Sequence, residues 1–211
     1  MTAIELSLRY RATKALRPFR EAPEFYCGYV PEANLVWYIN PKCAQTTINA
    51  SLQSAYSNFL RIDRPYHQIV GTERWRSFGF VRNPMTRFTS LWKNKIKNWR
   101  PQDNPLSLDE AQREYLLNID NFIDFLASLD LDRSEAHTRK QVQLVPPGIV
   151  GEIGHVESFE QDWNRIMMKF GLKAVAHHRM NKTEGSVPLN SRQIEMIKSL
   201  YHDDFVAFRY V

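Results

Sequence analysis

Apolar and polar positions along the chain follow two rhythms. Leu35–Ile39 is a short continuous apolar run, the pattern of a strand buried on both faces of a parallel sheet. Thr46–Phe59 follows, with Ile48, Leu52, Ala55, Tyr56 and Phe59 at helical spacing. Trp75–Val81 is a second, aromatic-rich strand candidate ending at Arg82. Asn83-Pro84 then offers a cap and a first-position proline for a helix expected to reach Trp99. Pro101–Pro105 reads as a loop. Leu116–Leu129 is expected to be helical, with Leu117, Phe122, Phe125, Leu126 and Leu129 on its apolar side. Pro146-Pro147-Gly148 predicts a turn before a short strand, Ile149–Ile153. Phe159–Phe170 is amphipathic and closed by Gly171. Asn181–Ser186 reads as a polar loop, and Ser191–Leu200 as a last helix capped by Ser191.

Strands alternating with helices predict an α/β fold, a parallel sheet flanked by helices on both faces. Residues 1–30, broken by Pro18 and Pro23, read as an N-terminal arm, and 31–211 as a single α/β domain. Hydrophobic content of 43% supports a packed core rather than a disordered chain. No segment reaches the roughly 18 apolar residues of a membrane span. Met1–Arg20 lacks the apolar core of a signal peptide, so a cytoplasmic location is expected unless an anchor was trimmed. Cys27 and Cys43 form neither a disulfide framework nor a zinc pattern, and no metal-ligand spacing is visible.

The net charge of +5 is unevenly spread. Residues 61–100 carry ten Lys or Arg against two acids, and residues 101–135 nine acids against two arginines. Such blocks fit one face built for an anion, or two solvated helix faces. The acidic block argues against a nucleic-acid partner, as does the absence of any recognition module.

Candidate chemistry lies at two strand-to-helix junctions. Pro41-Lys42-Cys43-Ala44-Gln45-Thr46-Thr47 has the layout of a phosphate-binding loop: a strand, a turn, and a helix N-terminus with its N–H groups and dipole. It is not the G-x-x-x-x-G-K-[ST] loop of an ATPase, because its lysine comes first and it contains no glycine. Cys43 reads as a small packing residue. Forty residues on, Val81-Arg82-Asn83-Pro84-Met85-Thr86-Arg87-Phe88-Thr89-Ser90 places Arg82 at a strand end and Arg87 and Ser90 on one helix face. An arginine fork and a serine hydroxyl suit a second phosphate. Each junction alone also fits an ordinary turn or a basic helix.

Together the two segments resemble the sulfotransferases that use 3′-phosphoadenosine 5′-phosphosulfate (PAPS). These enzymes carry a P-K-x-[GA]-x-T-T loop for the 5′-phosphosulfate and a V-R-[ND]-P-x-x-R-x-x-S segment for the 3′-phosphate. The chain resembles most the carbohydrate branch, whose animal members are Golgi membrane proteins. Its H-x-x-x-Q segment is similar to His137–Gln141, and its G-x-x-E-x-x-x-x-D-[FW] segment to Gly154–Trp163. Weaker likenesses lie at Met180–Thr183 and Asp204–Tyr210.

The resemblance implies a P-loop-type sulfotransferase fold and transfer of a sulfuryl group from PAPS, without a metal, to an acceptor hydroxyl, expected on a glycan. Pro41, Lys42, Cys43, Ala44, Gln45, Thr46 and Thr47 would form the 5′ site, with Lys42 also neutralising the leaving oxygen. Arg82 and Ser90 would hold the 3′-phosphate, and Arg179 and Lys182 could close over the nucleotide. A base near neutral pKa suits the acceptor proton. His137 is the first candidate and His67 the second; Glu157 is a third, but better fits a helix-entry carboxylate pairing with a neighbour. His155, His177, His178 and His202 read as structural or loop residues. Trp75, Trp92 and Trp99 fit either core packing or stacking on a ligand, and Lys93–Arg100 either an anionic acceptor or solvent. No membrane partner is implied for this chain. The alternative is a sulfotransferase-like protein that binds nucleotide or glycan without catalysis.

Overall fold

The computed structural model describes residues 26–62, 75–172 and 187–210. These form two compact units, one from 26–62, 75–83 and 141–172, the other from 84–140 and 187–210.

The first unit is an α/β sheet. Its strands are β1 (Cys27–Val30), β2 (Leu35–Tyr38), β3 (Leu60–Ile62), β4 (Arg76–Val81) and β5 (Glu152–His155), in the order β3-β1-β2-β4-β5. β2, β4 and β5 are parallel, as the alternating pattern predicts. β1 and β3 extend the sheet as antiparallel strands, so it is mixed. Cys27–Val30, assigned above to the arm, is therefore part of the sheet. Its hairpin to β2 turns through Pro31–Ala33, with Asn34 left-handed at φ 47°.

All four residues of β2 are buried. Leu35 and Trp37 of β2 and Phe78 and Phe80 of β4 form one core with α1 (Gln45–Ala55) and α5 (Phe159–Lys169). Ile48 and Leu52 enter it from α1; Trp163, Ile166 and Met167 enter from α5. Gly154 is required by close approach, because a Cβ there would meet the Phe80 ring at 2.6 Å. On the opposite face of β4, a Cβ on Gly79 would meet Val145 at the same distance.

α1 stops at Ala55, short of the expected Phe59. Phe59 instead packs near Gly28, and residues 60–62 turn to pair with β1. β5 begins at Glu152 rather than Ile149, which is exposed. α5 ends as predicted, with Gly171 left-handed at φ 63° and its N–H bonded to Met168 O.

The second unit is helical: α2 (Pro84–Trp92), α3 (Glu110–Leu116), α4 (Ile119–Ala127), α6 (Ser191–Leu200) and α7 (His202–Ala207). α2 continues through a wider, π-type turn at Lys93–Lys97. Phe88, Leu116, Phe122, Phe125 and Ile197 lie in its core. The single helix expected over Leu116–Leu129 is two, because Asn118 caps α4 by accepting the N–H of Asp120 at 2.9 Å. Leu117 falls in the break and is exposed, not on the apolar side. α6 is capped by Asn190, not Ser191. The Asn190 and Gln193 side chains each accept the other's N–H, at 2.9 and 3.0 Å. Lys95, read above as part of a solvated or acceptor-facing run, is buried and paired with Asp103.

No helix among the described residues is long and apolar enough to cross a membrane.

Candidate functional site

In the first unit, β2 and β4 are parallel neighbours, so their C-terminal ends bring the Lys42 loop and Arg82 side by side. Beyond β2, Asn40 and Pro41 are buried and Lys42 is half-buried. Lys42 and Ala44 are left-handed, at φ 69° and 57°. Each such non-glycine residue costs about 1–2 kcal/mol, which accounts for glycine at the Ala44 position in similar loops. Ala44 is the N-cap of α1 and supplies no side-chain cap to this helix N-terminus, the kind of end at which an anion can bind. Thr46 is exposed at this N-terminus, while Thr47 is buried. Cys43 is buried, as a packing residue should be, and its Sγ donates to Gln141 Oε1 at 3.3 Å.

Arg82 follows β4, half-buried. Its Nη1 donates to Lys42 O at 3.4 Å, so the arginine of one motif lies against the lysine loop of the other. Its backbone is clamped by Gln141. Gln141 Oε1 accepts the Arg82 N–H at 3.0 Å, and Nε2 donates to the Arg82 carbonyl at 2.7 Å. Asn40 Nδ2 donates to both Phe80 O, at 3.0 Å, and Gln141 Oε1, at 2.9 Å. Asn40 and Gln141 were not assigned roles above. Asn40 lies 101 residues from its partner, a contact no local pattern reveals. Glu157 accepts the Asn83 N–H at 2.8 Å, a pairing with a neighbour.

In the second unit, Ser90 is buried in α2. Arg87, expected to share a phosphate with it, is turned to another task. It is 3% exposed, and its guanidinium donates to Arg139 O at 2.9 Å and Ala136 O at 3.1 Å. These carbonyls bracket His137. The same loop is tied by Tyr201 Oη to Thr138 O at 3.0 Å and by Arg139 Nε to Ser134 O at 2.9 Å. His137 Nδ1 lies 3.0 Å from the Glu135 carboxylate, which also accepts the His137 N–H at 2.7 Å. Burial pushes the Glu135 carboxyl up, but the bonds and charge from His137, with Arg139, outweigh it and hold it below its ordinary value. Nδ1 is thus the ring nitrogen engaged by Glu135.

Trp92 is a packing residue, its Nε1 bonded to Leu116 O at 3.0 Å. Trp75 rests on Tyr29 with ring centroids 4.8 Å apart. His67, Arg179 and Lys182 lie outside the described residues, as do His177, His178 and the Asn181–Ser186 loop. Among the described residues, no cluster of His, Cys, Asp and Glu is arranged to hold a metal ion.

The adjacent ends of the parallel strands β2 and β4 present a lysine loop, a helix N-terminus and an arginine, an arrangement suited to an anion. The family model described as the Sulfotransferase family matches residues 22–211, and the chain belongs to that family. It is thus a transferase whose general chemistry is sulfuryl transfer. Neither the curated proteins nor the solved structures contain a match to it.

Proposed function

We propose that the chain transfers a sulfuryl group from 3′-phosphoadenosine 5′-phosphosulfate to a hydroxyl of a carbohydrate acceptor. The observation that carries this reading is the meeting of Arg82 with the Lys42 loop at 3.4 Å, at the ends of neighbouring parallel strands. Two cationic side chains and an uncapped helix N-terminus fit a donor with phosphates at both 5′ and 3′ positions.

The donor supplies an activated sulfuryl group. The chain's residues bind it and handle charge. Loop N–H groups with Thr46 and Thr47 hold the 5′ end, and Lys42 neutralises the charge that grows on the departing bridging oxygen. Arg82 holds the 3′-phosphate, a role the motif extends to Ser90. His137, its Nδ1 fixed by Glu135, is the proposed acceptor of the hydroxyl proton at Nε2. The carbohydrate class rests on the likeness of residues 137–141 and 154–163 to that branch.

Titration calorimetry tests the donor. 3′-Phosphoadenosine 5′-phosphate should bind far more tightly than AMP or ATP; equal affinities would refute the reading. Arg82→Ala should erase the preference, about 10–100-fold for one charge-assisted contact. Lys42→Ala should lower turnover more than affinity. A mass-shift screen across hydroxylated acceptors then tests the acceptor class.

A further inference from the structure

The H-x-x-x-Q segment contributes His137 to the proposed chemistry, but its glutamine has no role there. Gln141 is fully buried, on a short helical turn at Gln141–Gln143. Its amide uses both ends. Oε1 accepts from Arg82 N–H, Asn40 Nδ2 and Cys43 Sγ, at 3.0, 2.9 and 3.3 Å. Nε2 donates to Arg82 O at 2.7 Å.

The pair of bonds to Arg82 has the form of a strand neighbour. A primary amide offers one C=O and one N–H to the backbone of a single residue, as an adjoining strand would. β4 ends at Val81, and Gln141 holds the first residue beyond it. Through Cys43 and Asn40 the same oxygen ties the lysine loop to that point. One buried side chain therefore connects both phosphate motifs.

We propose that Gln141 is the positioning residue of the donor site. It fixes the Arg82 backbone against the Lys42 loop before nucleotide arrives, and so sets the discrimination for a 3′-phosphate. It touches no reacting atom. Leucine or methionine at this position would leave Arg82 N–H, Arg82 O and Asn40 Nδ2 without this partner. Glutamate would keep the acceptor but replace the donor facing Arg82 O by a second oxygen, and would bring negative charge to an anion site. The inference rests on the PAPS reading of this site.

The test compares affinities for 3′-phosphoadenosine 5′-phosphate and for AMP in wild type, Gln141→Met, Gln141→Glu, Arg82→Ala and the Arg82→Ala/Gln141→Met double variant. Their ratio measures 3′-phosphate discrimination, which general loosening of the fold would not move selectively. Gln141→Met and Gln141→Glu should each lower the ratio about tenfold or more, as expected when well-formed hydrogen bonds are lost. Adding Gln141→Met to Arg82→Ala should lower it no further. An unchanged ratio in the Gln141 variants, or full additivity in the double variant, overturns the proposal. Wild-type protein with no preference at all would instead overturn the donor reading. Hydrogen exchange on wild type needs no variant to fold: without nucleotide, the Arg82 amide should be protected. Free exchange there would refute preorganisation by Gln141.

Discussion

Arg87 gives the sharpest contrast between motif and structure. The motif suggests a phosphate ligand, whereas the guanidinium is buried and braces the loop that carries His137. Replacing it with methionine keeps much of the aliphatic volume and removes two charge-assisted bonds, at 2.9 and 3.1 Å. Such bonds are worth about 1.5–3 kcal/mol each, and each carbonyl left unpaired costs about 1–3 kcal/mol. These are two views of the same loss and do not add. Relief from burying a cation offsets part of that loss. The balance is a destabilisation of about 2–4 kcal/mol, a large share of the roughly 5–15 kcal/mol that holds a typical domain together. Lysine keeps a charge and three donors but lacks the planar fork that is set to the two carbonyls, and should recover about half. Urea unfolding at constant m-value measures the stability change. In parallel, the preference for 3′-phosphoadenosine 5′-phosphate over AMP should survive in Arg87→Met, although turnover falls as His137 loses its frame. A variant of unchanged stability that had lost the nucleotide preference would refute the reasoning, because the guanidinium would then be serving the ligand.

Two further outcomes follow from the first unit. Glu152 is buried, which raises its carboxyl, but Lys169 and Arg165 outweigh this and hold it below its ordinary 4.5. Asp162 is likewise held below 3.8 by His155 N–H, Ser158 and Arg165 against the effect of burial. Because the folded values are depressed, this stability is fully present above pH 4.5 and is lost as the pH falls through them. Denaturant midpoints followed downward from pH 6 should decline, and Glu152→Gln should flatten the decline; an unaltered profile would show that the cluster does not carry it. Gly154→Ala would press a methyl group into the Phe80 ring at 2.6 Å, and overpacking of this kind costs about 1–3 kcal/mol. Calorimetric melting that matches wild type within a degree would mean the ring moves aside freely.

What could be read from the sequence is what local chemistry determines. The apolar run of β2, the Asn-Pro step into α2 and the glycine closing α5 each act within a few residues, and each lies where expected. β1 and β5 were missed or misplaced because neither pattern is local. Gly28 and Tyr29, or Glu152 and His155, become strand only when a neighbour supplies the ladder. Asn118 ends one helix and begins another with a cap that the apolar spacing hid. At the site, residue types named Lys42, Thr46 and Arg82 correctly as lying at the two strand-to-helix junctions. They could not show that Arg87 turns inward, nor that Glu135 is paired with His137 through its carboxylate.

The interleaving of the two units has a consequence for the order of assembly. Strands β1 to β4, with the Lys42 loop and Arg82, are synthesised before the helices of 84–140, and Gln141 follows Arg82 by 59 residues. At roughly 5–20 residues per second, the ribosome needs several seconds to bridge that interval. Closing it also carries a loop entropy that grows only logarithmically, about 0.6 kcal/mol per doubling. A nascent chain paused before Gln141 is therefore expected to contain Lys42 and Arg82 of the proposed donor site while lacking the amide that sets Arg82 against the Lys42 loop. If the proposed donor reading holds, competence for the nucleotide arrives late, with the return of the chain to the sheet.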